Sequence, residues 1–184
     1  MNTFIALFRG INVGGKNILP MKELIAILED LELSKVQTYI QSGNVIFQAA
    51  IENTQELARK IEAAVCNSYE FTPKVLVLSI QEFRKAIASN PFPESESEPK
   101  SLHLFFLESA SANPDVKRLK SLQSESESFK LIDTFFYLHA PMGTGRSKLA
   151  ANVEKALGVT VTARNWRSVS AVLSLAILFS PNSE

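Results

Sequence analysis

The stretch Val36-Gln37-Thr38-Tyr39-Ile40-Gln41-Ser42-Gly43-Asn44-Val45-Ile46-Phe47 decides the fold. Two runs rich in β-branched and aromatic residues flank Ser-Gly-Asn, whose residues tolerate positive φ, which is the signal of a β-hairpin. Upstream, residues 3–8 read as a strand. A polar Gly-rich loop comes next, and then a helix opened by Pro20, where a missing N–H costs nothing. Met21, Leu24, Ile25, Leu28 and Leu31 recur there at helical spacing. Downstream, Asn53 and Glu56 form a capping box for a helix carrying Leu57, Ile61, Ala64 and Val65, and residues 74–78 give another strand. The order is β-α-β-β-α-β, a ferredoxin-like arrangement.

The second half repeats this pattern with unlike residues. Ser79 and Glu82 open a short helix with Phe83 and Ile87, and residues 90–100 form a connector with three prolines and three glutamates. A strand over 102–107 precedes a helix starting at Asn113-Pro114, with Val116, Leu119 and Leu122 on one face. Residues 129–132 and 135–138 pair around Asp133. A helix over 147–157 stops at Gly158, and a short strand spans 159–162. Val169, Val172, Leu173, Ala176 and Ile177 mark a last amphipathic helix. The expected architecture is α+β: two tandem ferredoxin-like units with a C-terminal helix. The expected divisions are 1–79, a connector at 80–100, 101–163 and 164–184.

Composition narrows the function classes. Of 184 residues, 46% are hydrophobic and 21% charged, which is ample for a packed core. Lys+Arg and Asp+Glu are both 19, so a wholly basic nucleic-acid binder is not indicated. Cys66 is the only cysteine, which rules out an intrachain disulfide; its helical context predicts a small core residue. No run approaches the length needed to span a bilayer, so a cytoplasmic protein is expected, without membrane contact. His103 and His139 lie in apolar strands without ligand spacing and read as satisfied strand histidines. Three Asp in the chain leave little room for a two-metal carboxylate centre, although the many Glu do not exclude one; no metal or cofactor is expected. The Ser/Glu runs at 94–98 and 124–128 read as exposed turn or linker.

Four polar windows remain. The first, Arg9-Gly10-Ile11-Asn12-Val13-Gly14-Gly15-Lys16, has glycines that let backbone N–H groups approach an anion and a cation at each end. Its glycine spacing does not fit the dinucleotide fingerprint, and a turn built only to accommodate positive φ is the alternative. The second is the turn Ser42-Gly43-Asn44. The third, Pro141-Met142-Gly143-Thr144-Gly145-Arg146-Ser147-Lys148, comes after a strand and opens a helix, but lacks the spacing of a nucleotide-hydrolysing phosphate loop. The fourth, Thr162-Ala163-Arg164-Asn165-Trp166-Arg167, holds the only Trp, which is expected to anchor in the core beside two arginines. None of the windows contains Asp or Glu, so a neutral chain conceals a basic face that attracts phosphate or carboxylate.

The windows at 8–16, 38–45 and 162–167 resemble the signatures of a bacterial family of unknown function, a group of hypothetical proteins with tandem ferredoxin-like units. The resemblance covers nearly the whole chain; Ser168 stands where the family usually has Thr. It implies the fold and the importance of the loops, and brings no activity.

The leading expectation is a protein that binds an anionic small molecule or a nucleic-acid segment in a cleft formed by these windows. Arg9, Gly10, Asn12, Gly14, Gly15, Lys16, Ser42, Gly43, Asn44, Arg146, Lys148, Arg164, Asn165 and Arg167 are its candidate ligand-binding residues. A transferase or hydrolase using the same cleft, and a structural or partner-binding scaffold, stand as alternatives. Whether a reaction is catalysed, and by which residues, is left open.

Overall fold

The computed structural model of the chain describes residues 1–179. The first half runs β1 (Asn2–Arg9), α1 (Met21–Asp30), β2 (Ser34–Tyr39), β3 (Asn44–Ala49), α2 (Thr54–Ser68), β4 (Lys74–Ser79) and α3 (Ile80–Ala88). After a 3-10 helix at Pro93–Ser97, the second half runs β5 (Leu102–Leu107), α4 (Val116–Leu122), β6 (Ser128–Ile132), β7 (Phe135–His139), α5 (Lys148–Leu157), β8 (Val161–Asn165) and α6 (Trp166–Phe179). Two four-stranded antiparallel sheets result, ordered β2-β3-β1-β4 and β6-β7-β5-β8. The chain is α+β with two tandem ferredoxin-like units. One compact unit comprises Met1–Lys85 and the segment from Ser170, the other Ala86–Val169.

In the first unit, Phe4, Ala6 and Phe8 of β1 and Val45 and Phe47 of β3 pack with Leu24 and Leu28 of α1 and Leu57, Ile61 and Val65 of α2. Ile5, Leu7, Ile46 and Leu78 on the opposite face of the sheet are buried too, which explains why these strands read as continuous apolar runs. Each fully buried side chain of this size contributes about 1.5–3 kcal/mol. The capping predicted for α2 is present: the Asn53 side chain accepts from Glu56 N at 3.0 Å. Cys66 contradicts its expected burial, for it is exposed. Leu57, Ile61 and Val65 define the buried stripe, and Cys66, one residue beyond Val65, is turned about 100° away from it.

In the second unit, Phe105, Leu107, Phe136 and Leu138 of the sheet pack with Leu119 of α4 and Leu149, Val153 and Leu157 of α5. The cap of α4 is Asp115, whose carboxylate accepts from Arg118 N at 2.9 Å, and Asn113-Pro114 lies before the helix. Ser147 Oγ caps α5 by accepting from Ala150 N at 2.9 Å, and Gly158 ends the helix at φ 66°. The fourth strand lies later than expected. Pairing with β5 from Leu107↔Val161 to His103↔Asn165 holds residues 161–165 extended, so sheet hydrogen bonding overrides the loop-like polarity of Arg164 and Asn165. Trp166 is the next residue, the first of α6, and is buried, 3% exposed. Among the described residues, no helix is long and apolar enough to cross a membrane.

Candidate functional site

The window 9–16 folds as a miniature hairpin. Gly14 and Gly15 both have positive φ, 58° and 73°, as a two-residue type I′ turn requires. Val13 and Lys16 pair across the turn, Lys16 N donating to Val13 O at 3.1 Å. Asn12 ties this hairpin down. Its Nδ2 donates to Leu19 O and to Gln41 O, each at 2.9 Å, while Oδ1 accepts from Leu19 N at 2.8 Å. The bond to Gln41 joins the first window to the β2–β3 turn, so these two windows are neighbours. Phe8 N, donating to Gly43 O at 2.8 Å, makes a second link.

Within this cluster the candidate residues divide by task. Asn44 is fully buried, its Nδ2 donating to Tyr39 O at 3.1 Å and to Ser42 Oγ at 2.9 Å. Asn12, Ser42, Gly43 and Asn44 therefore shape the loops. Arg9, Gly10, Gly14, Gly15 and Lys16 are exposed, as are the apolar side chains of Val13, Ile18 and Ile40. Arg9 stands opposite Lys74 in the β1–β4 register, a like-charge pair that the sheet alone does not favour.

In the second unit, strand register decides which segments meet. Leu102 pairs with His139, His139 with Ser128, and His103 with Asn165. The segments before β5 and β6 and those after β7 and β8 therefore share one end of the sheet. Ala140 N donates to Ser101 O at 2.7 Å across this end. Two cavities open beside that contact. A groove of about 730 Å³ is lined by Ser124, Ser126 and Glu127 from the segment leading into β6 and by Met142, Gly143, Gly145, Arg146, Ser147 and Lys148 from the segment leaving β7. A smaller pocket of about 430 Å³ is lined by Glu98, Pro99, Lys100, Ser101, Pro141 and Arg167.

The windows 141–148 and 165–167 thus come to one sheet end. Asn165 is occupied as a helix cap, its Oδ1 accepting from Ser168 N at 2.9 Å. Arg167 lines the smaller pocket, and its backbone N donates to Pro99 O at 3.3 Å. Arg164 is half-buried, with Nη1 donating to Ala163 O at 2.9 Å. Burial disfavours its charged form and pulls the guanidinium down to about 10.

Three expectations change here. The windows lack carboxylates in sequence, but the fold lines their cavities with Glu127 and Glu98, so the surroundings are mixed in charge and not uniformly basic. The 124–128 run is not simply exposed linker either, because Glu127 is only 7% exposed. Its Oε2 accepts from Ser124 N at 2.9 Å. One signal could have revealed this: β6 and β7 form a hairpin, so the segment leading into β6 and the segment leaving β7 must meet. His103 also departs from expectation. Its Nδ1 is buried with no hydrogen-bond partner among the described residues, and burial lowers its pKa, the polar backbone at Ser101 acting the other way.

The architecture defines a tandem ferredoxin-like α+β protein. It is similar over its length to a solved structure, the conserved bacterial protein SP0830 from Streptococcus pneumoniae, at 24% identity and a TM-score of 0.67, covering 95% of this chain and 98% of that one. Residues 1–137 match the family described as protein of unknown function (DUF1697), and the chain belongs to that family. No functionally curated protein matches it.

Proposed function

We propose that the protein binds a small phosphate- or carboxylate-bearing ligand in the groove of the second unit. The observation that carries this reading is the groove itself. Its volume, about 730 Å³, suits a small molecule, and Arg146 and Lys148 line it together with the Gly143–Ser147 turn that leads into α5. Neither cation has an ion-pair or hydrogen-bond partner among the described residues. The first turn of α5 adds a partial positive charge, because its N–H groups face along the helix axis. The smaller pocket at the same sheet end adds Lys100 and Arg167, with Glu98 beside them.

A nucleic-acid segment is the second reading, favoured at the first unit by Arg9 opposite Lys74 and by the exposed Lys16. The exposed thiol of Cys66 fits a reducing, cytoplasmic setting. A thermal-shift screen of sugar phosphates, nucleotides, carboxylates and oligonucleotides tests both readings. Small phosphates should raise the melting temperature of the parent but not of an Arg146→Ala, Lys148→Ala double variant. Stabilisation that survives the double substitution would sink the groove reading. Turnover of a stabilising ligand would mark the enzyme alternative.

A further inference from the structure

The charges lining the groove do not close onto one another. Glu127 is 7% exposed, and one of its carboxylate oxygens, Oε2, is held by Ser124 N at 2.9 Å. The other, Oε1, accepts no hydrogen bond among the described residues and is not sealed from solvent. Arg146 and Lys148, which line the same groove, form no ion pair with Glu127 or with any other described carboxylate. Opposite charges therefore line one cavity of about 730 Å³ without pairing, which leaves both signs open to a ligand. A carboxylate oxygen with no protein donor is open to a donor carried by a ligand.

We propose that the ligand is a zwitterion, with a phosphate or carboxylate at Arg146 and Lys148 and a protonated amine at Glu127. This rests on the groove being the ligand site and deepens that reading by naming the ligand's second group. An ammonium supplies up to three donors, enough to reach the free Oε1 while the phosphate meets the two cations. A purely anionic ligand in the same cavity would instead be repelled by the Glu127 carboxylate. Ser124 and Ser126 add hydroxyls on the Glu127 side, suited to an amine and its neighbouring hydrogen-bonding groups.

Isothermal titration with two matched probes tests this. O-Phosphoethanolamine carries the ammonium; propyl phosphate replaces it with a methyl group of similar size. The full-length protein should bind the first about tenfold more tightly or better, as expected for a hydrogen-bonded charge contact. Glu127→Gln, which keeps an acceptor for Ser124 N, should remove that preference and bring the two probes to about equal affinity. Equal affinity for the two probes in the parent overturns the zwitterion inference while leaving the anion site standing. Failure of both probes and of inorganic phosphate to bind overturns the groove reading, and the inference with it.

Discussion

At Gly43 a positive φ of 72° coincides with close packing, for a Cβ there would lie 2.5 Å from Phe8 Cβ and 2.7 Å from Ile11 Cδ1. Gly43→Ala combines backbone strain with overpacking against two core residues and should cost about 2–4 kcal/mol in denaturant melts. Ile40, three residues earlier, shows the opposite balance. It is a β-branched, exposed residue held at φ 51°, a conformation that costs an L-residue roughly 1–2 kcal/mol. Ile40→Gly relieves that strain at an entropic cost of about 0.5–1 kcal/mol, so it should stabilise the fold by up to about 1 kcal/mol. A destabilised Ile40→Gly would show that this side chain makes contacts worth more than its strain. His103 sets a pH dependence. Its folded pKa lies below the ordinary 6.5 because burial disfavours the imidazolium. Between those two values the unfolded chain holds a proton that the folded chain does not. Stability is therefore greatest above pH 6.5 and falls as pH drops through 6.5 toward the folded value. Urea melts at about pH 7.5 and 5.5 should show this loss in the parent and a smaller one in His103→Gln. Equal losses in the two would remove His103 as the cause.

Helix α5 and the hairpins show what the elements contribute. Ser147 Oγ holds the first turn of α5 through Ala150 N, and the same residue lines the groove. Ser147→Ala should lower stability by about 1 kcal/mol, the usual cost of losing a cap. An unchanged melt would mean that the cap contributes nothing. The elements are largely legible in the sequence because their signals are local: the apolar spacing of Leu57, Ile61 and Val65, the Asn53 cap and the Gly158 stop all stand in the structure. The exposure of Cys66 follows from that same spacing, since it lies about 100° from the stripe; expecting it in the core weighs residue type over helical position. Two features are not legible there. Residues 163–165 look like loop but pair with β5, and long-range hydrogen bonds of that kind leave no local trace. The task of Asn12, which bridges to Leu19 and Gln41, depends on a contact across 29 positions of chain. For the candidate site, sequence identifies the cations 146, 148 and 167 but not the acids 98 and 127 that line the same cavities, because charge read along the chain does not show charge across the strand register.

On the scale of the molecule, a net charge of +0 limits any association with polyanions to local patches. At the end of the first sheet, Arg9, Lys16 and Lys74 can neutralise about three phosphates, so duplex DNA binding should have a log–log salt slope no steeper than about −3. Tight oligonucleotide binding that ignores salt would demand a larger basic surface than the chain offers. The small-ligand reading makes a more local claim, that the groove beside α5 is where an anion sits. Amide chemical-shift mapping during a titration with a phosphate monoester tests it most directly. The predicted result is saturable shifts concentrated at residues 124–127 and 142–148, abolished by the Arg146→Ala, Lys148→Ala double substitution. Shifts confined to residues 9–17, or none at these groove residues up to saturation, would contradict the account.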